Sequence, residues 1–131
     1  MHRHAVLLIE DEEELASLLG ELLRDLDYEV RVAGSFGEAK EMLTDFRPCT
    51  VVSDLTLPDV PREELVARLR EEVGDLPIRL MSAIAESELR RFALDQGAQG
   101  ALSKPFDLDD FERVVVQDCP HGTSAAPPGL P

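Results

Sequence analysis

Short apolar runs alternate along this chain with stretches of helical spacing. Ala5-Val-Leu-Leu-Ile9 is wholly apolar, as a strand covered on both faces should be. From Glu12 to Leu26, the side chains Leu15, Leu18, Leu19, Leu22, Leu23 and Leu26 share one helical stripe, with acids and Arg24 elsewhere. Tyr28 to Val32 alternates apolar with charged residues and predicts a second strand. Ser35-Phe-Gly-Glu38 has the spacing of a capping box, opening a helix that runs to about Asp45 before Pro48. Thr50 to Ser53 predicts a third strand ending at Asp54, and a loop with two prolines follows, from Leu55 to Pro61. A helix from about Arg62 to Val73 is broken by Gly74-Asp75 and Pro77. Ile78 to Ser82 predicts a fourth strand, Glu86 to Gln96 a fourth helix closed by Gly97, and Ala101 to Ser103 a fifth strand. Leu108 to Gln117 predicts a short last helix.

Five strand–helix units in a row imply an α/β fold, with a parallel sheet carrying helices on both faces. Right-handed crossovers leave few arrangements, and a doubly wound five-stranded sheet in the order 2-1-3-4-5 is expected, an order adopted from known folds of this type. The periodicity stops after Asp118, so residues 1–118 read as one domain and residues 119–131 as a Pro/Gly-rich tail or linker stub.

Composition narrows the function classes. With 44% hydrophobic residues, the 131-residue chain can fill one core. Its 27 acids against 13 bases give a net charge of −14, which argues against a nucleic-acid grip by this domain. The longest wholly apolar run, Ala5 to Ile9, is far too short to cross a membrane, and no leader opens the chain, so a cytoplasmic protein is expected. Cys49 and Cys119 stand 70 positions apart without a CxxC or Cys/His cluster; neither a disulfide nor a zinc site is expected. His2, His4 and His121 receive no role.

The acid excess gains meaning from its position. Ligands of such sheets bind beyond the carboxyl ends of the strands, where strands one and three diverge. Strand one ends in Glu10-Asp11 and strand three in Asp54. Two ionised carboxylates about 5 Å apart repel by roughly 3 kcal/mol at an effective dielectric near 20, so three together call for a cation. Mg²⁺ suits such oxygen donors, and Mn²⁺ is compatible with them. Strand four ends in Ser82 and strand five leads to Lys104, a hydroxyl and an ammonium suited to a phosphoryl oxygen. Singly, each residue has a plainer role: Asp11 as a helix cap in Asp11-Glu-Glu-Glu14, Asp54 as a turn former, Lys104 as an exposed cation.

Together these segments resemble the receiver family of two-component signalling. Val6-Leu-Leu-Ile-Glu-Asp-Glu12 is similar to its first strand and acidic pair, and Val51-Val-Ser-Asp-Leu-Thr-Leu-Pro58 to its phosphoacceptor strand. Leu80-Met-Ser-Ala83 resembles the hydroxyl-bearing strand, and Leu102-Ser-Lys-Pro-Phe106 the lysine–proline turn. The match spans about residues 5–116 and implies a flavodoxin-like receiver fold. It implies further that Asp54 takes a phosphoryl group from a sensor histidine kinase or phosphotransfer protein. Glu10, Asp11, Asp54 and the Thr56 carbonyl would hold Mg²⁺, Lys104 would pair with the acceptor, and Ser82 would hydrogen-bond a phosphoryl oxygen. A cis Lys104–Pro105 bond is implied too. Output would pass to an unidentified partner or to a portion outside this chain, and a homodimer through helix four, strand five and helix five is the family's usual surface.

Two positions depart from the family. Ala101 replaces the aromatic usually found three residues before the lysine, so the serine–aromatic readout cannot operate as such. Pro61-Arg62 replaces a usual Asp-Gly pair; an Arg so near the site is open to two readings, contact with phosphate or a partner and plain exposure, of which exposure is expected. Two alternatives remain beside the acceptor reading. One is a receiver-like interaction scaffold with phosphorylation-independent output. The other is a Mg²⁺ phosphohydrolase of the haloacid dehalogenase type, which needs an acid where this chain has Thr56.

Overall fold

The computed structural model describes residues 4–120. Five strands alternate with five helices: β1 (Ala5–Ile9), α1 (Glu13–Asp25), β2 (Glu29–Ala33), α2 (Phe36–Met42), β3 (Thr50–Asp54), α3 (Arg62–Val73), β4 (Ile78–Ser82), α4 (Glu86–Gln96), β5 (Gly100–Ser103) and α5 (Leu108–Asp118). The strands form one parallel sheet in the expected order β2-β1-β3-β4-β5. His2, His121 and most of the anticipated tail lie outside the described residues.

Side-chain alternation along the strands divides the core in two. Leu7, Ile9, Val51, Ile78 and Leu80 pack with α2, α3 and α4 on one face. Val6, Leu8, Val52, Met81 and Leu102 pack with Leu19 and Leu23 of α1 and with Phe111 and Val115 of α5 on the other. β1 and β3 are buried along their whole length, which is why they read as continuous apolar runs rather than as alternation.

Element boundaries follow local hydrogen bonding. Ser35 Oγ accepts from the Glu38 N–H at 3.1 Å, as the capping box requires, while Glu38 reaches back to the Gly34 N–H at 2.8 Å, one residue before the cap. α2 stops at Met42 rather than Asp45 because the Thr44 and Asp45 N–H groups bond three residues back, tightening the last turn. Tyr28 is not in β2: its N–H closes the end of α1 on Leu23 O. The last helix is as long as α4, 11 residues each.

The two cysteines correct the sequence expectation. Cys49 and Cys119 form a disulfide, with Cα atoms 5.7 Å apart across 70 positions of sequence. Cys49 immediately precedes β3, and α5 runs back across the sheet to end beside it, so chain distance carried no information about their separation in space. Neighbouring contacts hold the same end of α5. Tyr28 Oη donates to Cys119 O at 2.8 Å. Arg79, on β4, makes a bidentate pair with Asp118 at 2.7 and 3.0 Å. Gly100 admits this guanidinium, since a Cβ there would lie 2.5 Å from Arg79 Nη1.

Candidate functional site

The opposite, carboxyl end of the sheet gathers the predicted residues. Glu10, Asp11 and Asp54 each offer a carboxylate oxygen, and these oxygens lie within 4.8 Å of one another. Glu10 is buried and directs Oε2 to the Glu12 N–H at 3.1 Å. Glu12 occupies the cap position of α1 with no side-chain cap. Asp11 therefore does not cap the helix. It is exposed and stands free to join the cluster.

Lys104 reaches into these acids from the end of β5. Its Nζ is 2.9 Å from Glu10 Oε1 and 3.5 Å from Asp54 Oδ2, so its nearer partner is Glu10 rather than the expected acceptor carboxylate. The Lys104–Pro105 bond is cis. The Lys104 N–H bonds Ser82 O at 2.7 Å, tying the ends of β4 and β5 together.

Burial raises the Glu10 and Asp54 carboxyls above their ordinary range, each with repulsion from a neighbouring acid, and Lys104 counteracts part of it. Burial lowers Lys104, but the two carboxylates outweigh it and the ammonium ends above its usual value. The cluster is short of positive charge. Three carboxylates meet one ammonium, and these oxygen donors, with Asp11 exposed, fit a small divalent cation.

A cleft of about 410 Å³ opens onto Asp54, lined also by Thr56, Arg62, Ser82, Ala83, Ile84 and Lys104. Asp54 keeps 11% of its side chain exposed, enough for an atom to reach Oδ. The Thr56 N–H donates to Asp54 Oδ1 at 3.3 Å, and Ser82 Oγ accepts from the Ile84 N–H at 3.3 Å. Ala101 pairs with Leu80 across the sheet and packs against the core, leaving no ring at that position. Arg62 is half-buried at the cleft rather than exposed.

Sequence reasoning missed Asp59. Its two carboxylate oxygens accept from the Phe36 and Gly37 N–H groups at 3.0 and 2.9 Å, fastening the loop after Asp54 to the start of α2. Burial pushes its carboxyl up, but the Gly37 and Phe36 bonds, its own backbone N–H and the charge of Arg68 together outweigh it and hold the carboxyl below the usual range. A free acid in a loop gave no sign of which helix start it would meet.

The chain is similar to known proteins along most of its length. An uncharacterized 14.6 kDa protein of Leptolyngbya boryana is 34% identical over 116 residues, covering 87% of this chain and 88% of that one. The response regulator Rre1 of Synechocystis is 31% identical over 85% of this chain, which spans only 49% of Rre1. The non-phosphorylated HemR receiver domain from Leptospira biflexa superposes with a TM-score of 0.76 at 32% identity, over 91% of this chain and 99% of that domain. The model of the response regulator receiver domain matches residues 6–116, and the chain belongs to that family.

Proposed function

We propose that Asp54 is the phosphoacceptor of this receiver domain. The observation that carries the reading is the cluster of Glu10, Asp11 and Asp54 within 4.8 Å beside a single ammonium, at the mouth of an open cleft. Asp54 Oδ attacks the phosphorus of a phosphohistidine on a partner kinase or phosphotransfer protein. The P–N bond breaks as the O–P bond forms, and the imidazole nitrogen leaves with the electron pair.

Glu10, Asp11, Asp54 and the Thr56 carbonyl would hold Mg²⁺, or Mn²⁺ in its place, which supplies charge neutralisation at the phosphoryl oxygens. Lys104 shields the acceptor from the charge of Glu10 and is in reach of a phosphoryl oxygen. Ser82 Oγ lines the same cleft as a donor. The domain acts as a signalling module that catalyses only its own phosphoryl transfer and loss. No helix among the described residues is long and apolar enough to cross a membrane. Output goes to a partner, to a further domain or to a second copy of this chain, and exposed Leu94 on α4 and Val116 on α5 offer apolar surface for it. Ala101 requires that this output work without the family's aromatic.

Incubation with acetyl phosphate and Mg²⁺, followed by intact-mass measurement, tests the assignment. The native chain gains one phosphoryl group and Asp54→Asn gains none. Absence of the gain in the native protein overturns the reading.

A further inference from the structure

One cation lining the acceptor cleft has no part in the site described above. Arg62 opens α3 and shares the cleft with Asp54, Ser82 and Lys104. Its Nη2 donates to Thr56 Oγ1 at 3.4 Å, and the Thr56 N–H donates in turn to Asp54 Oδ1 at 3.3 Å. The guanidinium approaches from the β3–α3 side, whereas Lys104 arrives from the end of β5. Among the described residues Arg62 has no carboxylate partner, although Arg68 and Arg90 are both paired within their helices. Its position is also unfavourable for the helix, because a cation in the first turn opposes the macrodipole.

Charge counting gives this residue a task. A phosphoryl group carries about two negative charges, so with Glu10 and Asp11 the loaded site would hold about four. A divalent cation and Lys104 supply about three positive charges, and Lys104 is shared, lying closer to Glu10 than to Asp54. One negative charge is left without a partner, facing a cleft whose wall carries an unpaired guanidinium.

We propose that Arg62 is a second phosphoryl-binding cation, contacting the phosphoryl oxygens on Asp54 and drawing anionic phosphodonors into the cleft. Planar guanidinium groups suit this task because they donate two parallel hydrogen bonds to such oxygens. The proposal rests on Asp54 being the acceptor.

Beryllofluoride, a mimic of the phosphoryl group, provides the test with Mg²⁺ present. The chain contains no tryptophan, so binding is followed by fluorine NMR. Arg62→Ala is expected to weaken beryllofluoride binding about three- to tenfold, the range for a partly exposed charge-assisted contact. The rate of phosphorylation by acetyl phosphate falls in the same proportion. Arg62→Lys restores the charge without the paired hydrogen bonds and recovers part of both, which separates lost charge from damaged folding. Arg62→Ala binding as tightly as the native protein, with Asp54→Asn silent, would overturn the role of Arg62 and leave Asp54 as acceptor. A native protein that binds no beryllofluoride would overturn both.

Discussion

The two ends of this sheet both bury charge, and they treat it in opposite ways. At the amino end, Arg79 and Asp118 form a bidentate pair with side chains 11% and 1% exposed, one positive charge for one negative. At the carboxyl end, three carboxylates share one ammonium. The first arrangement is satisfied and closed. It sits beside the disulfide and the Tyr28 bond, and it fixes the end of α5. The second is unsatisfied and open to a cleft. Burial of charge alone therefore does not mark a functional site in this molecule. Imbalance is what distinguishes the carboxyl end, the arrangement expected where a cation or ligand is to be bound.

Substitutions at the two ends should then differ in sign. The largest effect on stability is expected at the satisfied end. Asp118→Ala leaves a buried guanidinium unpaired and should cost about 3–5 kcal/mol in urea unfolding, while phosphorylation at Asp54 persists. A loss of phosphorylation without loss of stability would contradict this division of labour. Next comes the disulfide beside it. Cys49→Ser should cost about 2–4 kcal/mol, as for closure of a long loop, and thiol titration of the unfolded, unreduced native chain should find no free thiol.

At the carboxyl end the sign reverses. Asp54→Ala removes one of three repelling acids and should stabilise the cation-free protein at neutral pH by about 1–3 kcal/mol. Added Mg²⁺ should stabilise the native chain and much less the variant. The pH dependence follows from the same cause. Burial raises the Glu10 and Asp54 carboxyls, so just above the ordinary carboxylate range the folded protein keeps protons that the unfolded chain has released. Stability contributed by these two groups falls as pH rises through that window. Asp54→Ala should flatten the slope there, and an unchanged slope in thermal melts would count against the unbalanced cluster. The smallest effect is expected at Asp59, where Asp59→Ala removes a carboxylate cap from α2 and should cost about 1 kcal/mol.

Much of the carboxyl end was readable from the chain, for a definite reason. Strand periodicity located the ends of β1, β3, β4 and β5, and a parallel sheet puts all strand carboxyl ends on one side. Glu10, Asp11, Asp54, Ser82 and Lys104 are strand-end residues, so their convergence follows from the order of elements. Arg62 was readable as a departure from the family close to the site, with exposure expected over a contact to phosphate. That it turns toward the cleft depends on a side-chain direction that spacing does not specify.

The amino end was opaque for the complementary reason. Cys49, Arg79, Asp118 and Tyr28 lie on different elements with no shared spacing, and only the return path of α5 brings them together. Sequence by itself determined the elements, their alternation and the set of strand-end residues, because these depend on local periodicity and on the handedness of crossovers. The tertiary structure alone decided how charges are shared: Lys104 nearer Glu10 than Asp54, Asp59 on α2, Arg79 on Asp118. Such pairings are set by distances between elements far apart in the chain, and they separate the closed end of the sheet from the end that opens onto the cleft.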